Sequence, residues 1–191
     1  MTERVLEKSS ESFSGLQVRR MSLPGVRLIV GKRHEDARGW FAESWRRDMW
    51  QKVGIESDFI QDNLVMNRLK GTLRGLHWQR EPYAQAKLVR CLTGALIDVV
   101  ADVRPESPTF GRWEAVPLSA EGGEALFVPA GYAHGYVTTA DSTLVLYKVD
   151  VLWQPSAEAS CRWNDPTLGI DWGVTDPILS DKDRAAPLLR F

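Results

Sequence analysis

Gly71-Thr72-Leu73-Arg74-Gly75-Leu76-His77-Trp78-Gln79-Arg80-Glu81-Pro82-Tyr83-Ala84-Gln85-Ala86-Lys87 is where the chain departs from an ordinary β pattern. The segments around it read as core strands, yet the stretch carries a histidine, two arginines and a lysine. Burying several cations together is costly unless a ligand compensates them. An anionic, phosphorylated ligand is the simplest compensation, although Arg80 reads equally well as a surface residue. Alternation along a strand sends Leu73, Gly75 and His77 to one face and Arg74, Leu76 and Trp78 to the other. Arg74 and His77 can share a cavity only where the strand twists or bulges, and Gly75 between them is the position that tolerates it.

Outward from this stretch the pattern is strand, turn, strand at the spacings of a sandwich or barrel. Strands are expected at 59–63, 73–78, 87–92, 95–103, 111–118, 124–128, 135–139 and 143–151. Thr93-Gly94 suits a tight hairpin and Gly122-Gly123 marks another reversal. Upstream, 26–30 and 40–45 read as strands flanking a loop from His34 to Gly39. Residues 47–53 read as a short helix, with Asp48 in its first turn and Gly54 as its C-cap. Residues 1–20 read as a polar N-terminal tail, and 21–191 as a single domain.

The 191 residues suit one compact core. Lysines and arginines (24) nearly balance aspartates and glutamates (25) without any run of like charge, which argues against a nucleic-acid partner or a polybasic membrane anchor. The ligands are expected to be small. Cys91 and Cys161 lack a CxxC spacing and read as reduced thiols of a cytoplasmic protein, with a single disulfide left open. The N-terminal stretch lacks the apolar core of a signal peptide, and no apolar run approaches the roughly 18 residues of a membrane helix.

Gly71 and His77 are separated by five residues. Further on, Gly123 is followed by five residues, then Pro129-Ala130-Gly131, two residues and His134. These spacings resemble the two signature motifs of the cupin superfamily, which implies an all-β double-stranded β-helix, a jelly-roll barrel with a few short helices. In many cupins the motifs supply three histidines and a glutamate to a metal. Here Gln79 stands at the second position of the His-Xaa-His, Glu81 comes too early, and His34 lies in a different loop. No metal and no other cofactor is expected. A barrel histidine without a metal is either hydrogen-bonded in the core or catalytic, and the clustered cations favour catalysis.

Eight motifs then occur in order across roughly residues 24 to 187: Asp36-Ala-Arg38-Gly-Trp-Phe41-Ala-Glu43, Gln61-Asp62-Asn63, Leu73-Arg74-Gly75-Leu76-His77-Trp78-Gln79, Ala84-Gln85-Ala-Lys87-Leu-Val-Arg90, Ser107-Pro-Thr-Phe-Gly111, Val128-Pro-Ala-Gly-Tyr-Ala-His134-Gly135, Leu146-Tyr147-Lys148 and Trp163-Asn-Asp-Pro166. Together they resemble the dTDP-4-dehydrorhamnose 3,5-epimerase family. The resemblance implies a dTDP-linked 4-keto-6-deoxyhexose as partner and inversion of the carbons beside its ketone. It assigns His77 as base, Asp183 as the carboxylate that orients it, Lys87 as the cation at the enolate oxygen and Tyr147 as acid. It also assigns Arg38, Phe41, Glu43, Gln61, Asn63 and Arg74 to the nucleotide, with Phe41 stacking on the base and arginines on the diphosphate. His134 and Trp153 would lie near the sugar, Trp153 where a tyrosine is expected in many relatives. Leu64-Val65 replaces a commonly more polar pair, so whether one or both carbons are inverted stays open. A homodimer with exchanged N-terminal strands is implied, in which Arg38, Phe41 and Glu43 serve the partner's site.

Overall fold

A computed structural model describes residues 10–13 and 15–190. The strands in chain order are β1 (Ser10–Phe13), β2 (Leu16–Arg20), β3 (Arg27–Gly31), β4 (Arg33–Asp36), β5 (Gly39–Ala42), β6 (Gln61–Asn67), β7 (Leu73–Gln79), β8 (Lys87–Thr93), β9 (Ala95–Asp102), β10 (Trp113–Ser119), β11 (Glu124–Val128), β12 (Tyr132–Thr138), β13 (Thr143–Val149) and β14 (Glu158–Ser160). Helix α1 spans Arg47–Lys52 and α2 spans Asp181–Arg184. Seven strands form one sheet in the order β1-β2-β3-β11-β8-β13-β6, five form another in the order β10-β9-β12-β7-β14, and β4-β5 is a separate hairpin. Every pairing between named strands is antiparallel, the arrangement of a jelly-roll barrel.

Alternation explains the layers. Leu28, Val89, Cys91, Leu126 and Val145 project from the seven-stranded sheet onto Leu96, Val100, Val116, Leu118 and Tyr136 of the five-stranded sheet. Each such fully buried Leu or Val stabilises the barrel by roughly 1.5–3 kcal/mol relative to exposure. Outside the larger sheet, Met49 and Trp50 of α1 pack with Ile29, Leu88 and Phe127. Outside the smaller sheet, Cys161, Leu168 and Trp172 cover Leu76, Val99, Ala133 and Val137. Strand β12 is therefore buried along its whole length, with cavity-facing residues on one side and covered ones on the other. Among the described residues no helix is long and apolar enough to cross a membrane.

Several expectations are corrected. The expected tail over 1–20 contains β1 and β2, because Leu16 and Val18 alternate inward and are buried, 7 % and 4 % exposed; residues 1–9 lie outside the described part. His34 lies in β4, not in a loop, and the expected strand 40–45 is the shorter β5. Strand β6 runs on to Asn67 and β12 begins earlier, at Tyr132.

At Gly75 the bulge expected from the sequence is present. His77 pairs with His134 and Arg74 with Tyr136, so three steps on β7 match two on β12. Gly75 has φ +127°, and a Cβ there would lie 2.6 Å from the Cα of Gly135. Only glycine fits this close approach of two backbones. The extra residue returns Arg74 and His77 to the same face.

Candidate active site

Between the sheets lies a cavity of about 330 Å³, lined by His77, Lys87, Tyr147, Asp183, Arg74, His134 and Trp153, among others. Seven of the twelve residues singled out in the sequence thus converge. His77 and Arg74 come from β7 and His134 from β12, in the smaller sheet; Lys87 from β8 and Tyr147 from β13 come from the facing sheet. Lys87 and Tyr147 share one wall, since Val149 pairs with Lys87 and Tyr147 with Val89. Trp153 is exposed at the cavity's edge.

His77 Nε2 lies 2.6 Å from Asp183 Oδ1. Asp183 is itself held in place: Ser180, the N-cap of α2, donates from its hydroxyl to Oδ2 at 2.8 Å and accepts the Asp183 backbone N–H at 3.1 Å. Lys182 is bonded to Glu158 of β14, tying α2 to the barrel rim. Burial raises the Asp183 carboxyl, but hydrogen bonds from His77 and Ser180 outweigh it and hold the group below its usual value. It is therefore an ionised partner that fixes the ring.

Lys87 is 8 % exposed and makes no salt bridge among the described residues. Burial lowers its ammonium to about 8, against the attraction of Asp98 and Asp150. Burial also raises the phenol of Tyr147, opposed by the charge of Arg74. Arg74 is solvent-exposed where it borders the cavity.

Some positioning groups escaped the sequence reading. Asp98 on β9 is fully buried; its Oδ2 is 2.9 Å from His134 Nε2, and its Oδ1 has no hydrogen-bond partner among the described residues. Burial raises its pKa, against His134 and Lys87. The signal was present: an acid inside the apolar run Leu96-Ile97-Asp98-Val99-Val100 requires a partner. Gln79 is a clamp rather than a lost metal ligand: it donates to the carbonyls of Tyr83 and Leu152 and accepts the Gln154 backbone N–H. Arg80 is exposed.

Five residues lie elsewhere within this chain. Arg38, Phe41 and Glu43 belong to the β4-β5 hairpin and its exit, away from the cavity. Phe41 is 71 % exposed, Arg38 pairs with Asp36 at 2.6 Å and Glu43 with Arg46 at 3.2 Å. Gln61 and Asn63 bond to each other at 2.8 Å on the face of β6 that also carries cavity-lining Val65, but they do not line the cavity themselves. The hairpin projects outward, whereas Gln61 and Asn63 stand on the edge strand β6 beside Val149 and the cavity residue Tyr147.

The family model described as dTDP-4-dehydrorhamnose 3,5-epimerase matches residues 20–190. The chain belongs to the dTDP-4-dehydrorhamnose 3,5-epimerase family. The dTDP-4-dehydrorhamnose 3,5-epimerase of Salmonella typhimurium is 45 % identical over 170 residues, 88 % of this chain and 92 % of that one. The crystal structure of the Bacillus anthracis dTDP-4-dehydrorhamnose 3,5-epimerase, with TDP and PPi bound, superposes with TM-score 0.89 at 41 % identity, covering 91 % of this chain and 99 % of that one. The Legionella pneumophila enzyme, in complex with dTDP-4-keto-L-rhamnose, gives TM-score 0.86 at 38 % identity, covering 91 % and 93 %. Membership in this epimerase family makes the chain an isomerase with the cupin jelly-roll fold expected of it.

Proposed function

We propose that this protein epimerises a dTDP-linked 4-keto-6-deoxyhexose at C3, C5 or both, with His77 as base, Lys87 as the enolate-stabilising cation and Tyr147 as acid. One observation carries the reading: the His77–Asp183 pair faces Lys87 and Tyr147 across a single cavity, from opposite sheets. Epimerisation needs a base on one face of the sugar and an acid on the other, and two facing sheets supply that separation.

With Nε2 bonded to Asp183, His77 Nδ1 is left to take the proton from the carbon beside the ketone. The electron pair moves onto the ketone oxygen, where the Lys87 ammonium offsets the developing charge in a dry site. Tyr147 returns a proton from the opposite face; His77 and Tyr147 then exchange protons with water. Asp98 holds His134 toward the sugar and places negative charge near Lys87. Arg74 captures the diphosphate.

Incubation with dTDP-4-keto-6-deoxyglucose in deuterated water tests the reaction. Deuterium is expected at C3, C5 or both, read by NMR. Exchange at neither carbon rejects the function, and exchange at one carbon alone identifies a single-centre epimerase.

The hairpin residues find their role in a dimer. The β4-β5 hairpin leaves Trp40 and Phe41 exposed, 58 % and 71 %, and Leu64 and Met66 are exposed on the outer face of β6, with Ile60 exposed just before it. Since β1, β2 and β3 pair along their own sheet, β4 and β5 are the N-terminal strands that reach a second copy, placing Arg38, Phe41 and Glu43 at its nucleotide. Mixing inactive His77→Ala with binding-impaired Phe41→Ala protein, followed by subunit exchange, is expected to restore roughly a quarter of wild-type activity, because half the dimers are mixed and each holds one intact site. No recovery despite formation of mixed dimers rejects the shared site. Buried free thiols at Cys91 and Cys161 fit a reducing compartment, and we place the protein in the cytoplasm.

A further inference from the structure

Asn67, the last residue of β6, takes no part in the proton transfers, yet it is 1 % exposed and holds a bond to Arg74 at the cavity. Its Oδ1 accepts from Arg74 Nε at 2.8 Å, while its Nδ2 donates to the Thr143 carbonyl at 3.1 Å and the Tyr136 hydroxyl at 3.3 Å. A guanidinium has donors only, so the atom facing it must be the amide oxygen, and the donors on Nδ2 anchor that orientation to β13 and β12. The terminal nitrogens of Arg74 make no hydrogen bond among the described residues. Thr143 and Tyr136 are buried, 0 % and 4 % exposed, so the anchor itself is rigid.

We infer that Asn67 is a positioning residue for nucleotide capture: it grips Arg74 by Nε and leaves both terminal nitrogens free to take a diphosphate as a fork. This rests on the reading of the cavity as the dTDP-sugar site and adds a residue to it. An arginine held in this way has already lost much of its rotamer freedom before the ligand arrives, and a bidentate contact gains most from such preorganisation. Bound dTDP therefore benefits from Asn67 without touching it.

Calorimetric titration with dTDP in a double-mutant cycle tests the inference. Asn67→Leu or Asn67→Ala is expected to weaken dTDP binding about tenfold in the wild-type background and to have little effect in the Arg74→Ala background. Equal losses in both backgrounds, or no loss in the wild type, overturn the positioning role while Arg74→Ala still weakens binding. An Arg74→Ala protein that binds dTDP as tightly as the wild type overturns it together with the assignment of Arg74. Should loss of a buried amide unfold the chain, the ligand-free wild type supplies a second reading. The Nε–H resonance of Arg74, identified by its loss in Arg74→Lys, is expected to be protected from exchange before dTDP is added; protection that arises only with dTDP overturns the inference.

Discussion

His77→Ala is expected to lower deuterium exchange at the sugar carbons by about a thousandfold or more, while dTDP binding stays close to wild type. The loss is large because His77 is the cavity imidazole held by Asp183, whose carboxyl is kept below its usual value, whereas His134 is held by Asp98, whose carboxyl burial raises. His134 has spent its Nε2 on Asp98 and sits in a neighbouring strand, where it cannot inherit the Asp183 carboxylate. Binding survives because Arg74 and its support, Asn67, remain in place. The fold survives because Asp183 keeps its bonds to Ser180. Exchange at a normal rate in the variant rejects His77 as base; loss of exchange accompanied by loss of dTDP binding reassigns it to binding.

Lys87→Met is expected to reduce kcat by about a hundredfold to a thousandfold, the range seen when one preorganised donor to a developing oxyanion is removed. Methionine keeps the length of the aliphatic stem and discards the charge, so packing beside Val89 changes little. The wild-type pH dependence carries the same claim. Burial brings the Lys87 ammonium to about 8 in the free protein, so kcat/KM is expected to fall as pH rises through about 8 and the lysine becomes neutral. Stability responds in the opposite sense. The folded-state value lies below the ordinary 10.5, so between about 8 and 10.5 the unfolded chain binds more protons, and this group makes the folded state relatively more stable as pH rises. Activity falling while stability holds separates loss of the cation from alkaline unfolding. An alkaline limb unchanged in position in Lys87→Met rejects the assignment.

Much of this cavity is legible in the sequence because its parts are local and chemically conspicuous. The β periodicity between Phe59 and Val151 implies two half-buried sheets, and charge inside that pattern marks the cavity. Gly75 was identifiable as a bulge because alternation alone separates Arg74 from His77, and one extra residue brings them together. The expected tail failed at Leu16 and Val18: five-residue β2 has only two inward apolar positions, too weak a pattern to outweigh the polar composition around it. Asp98 was visible in principle, since a carboxylate between Ile97 and Val99 demands a partner, but its partner His134 is 36 residues away. Asn67 left no such trace; an asparagine at a strand end also reads as a turn residue.

The sequence by itself determined the class of fold, Gln79 in place of the second histidine of a cupin motif, and the presence of His77, Lys87 and Tyr147, because side-chain identity and strand period need no knowledge of distant neighbours. Tertiary structure alone decided that Asp183, 106 residues from His77, closes onto it at 2.6 Å. It also decided that Gln79 clamps three backbone groups, that Asn67 grips Arg74, and that Arg38, Phe41 and Glu43 stand apart from this chain's own cavity. Each of these depends on which strands become neighbours and which way a hairpin projects. Pairings between sheets are long-range, and no local period records them.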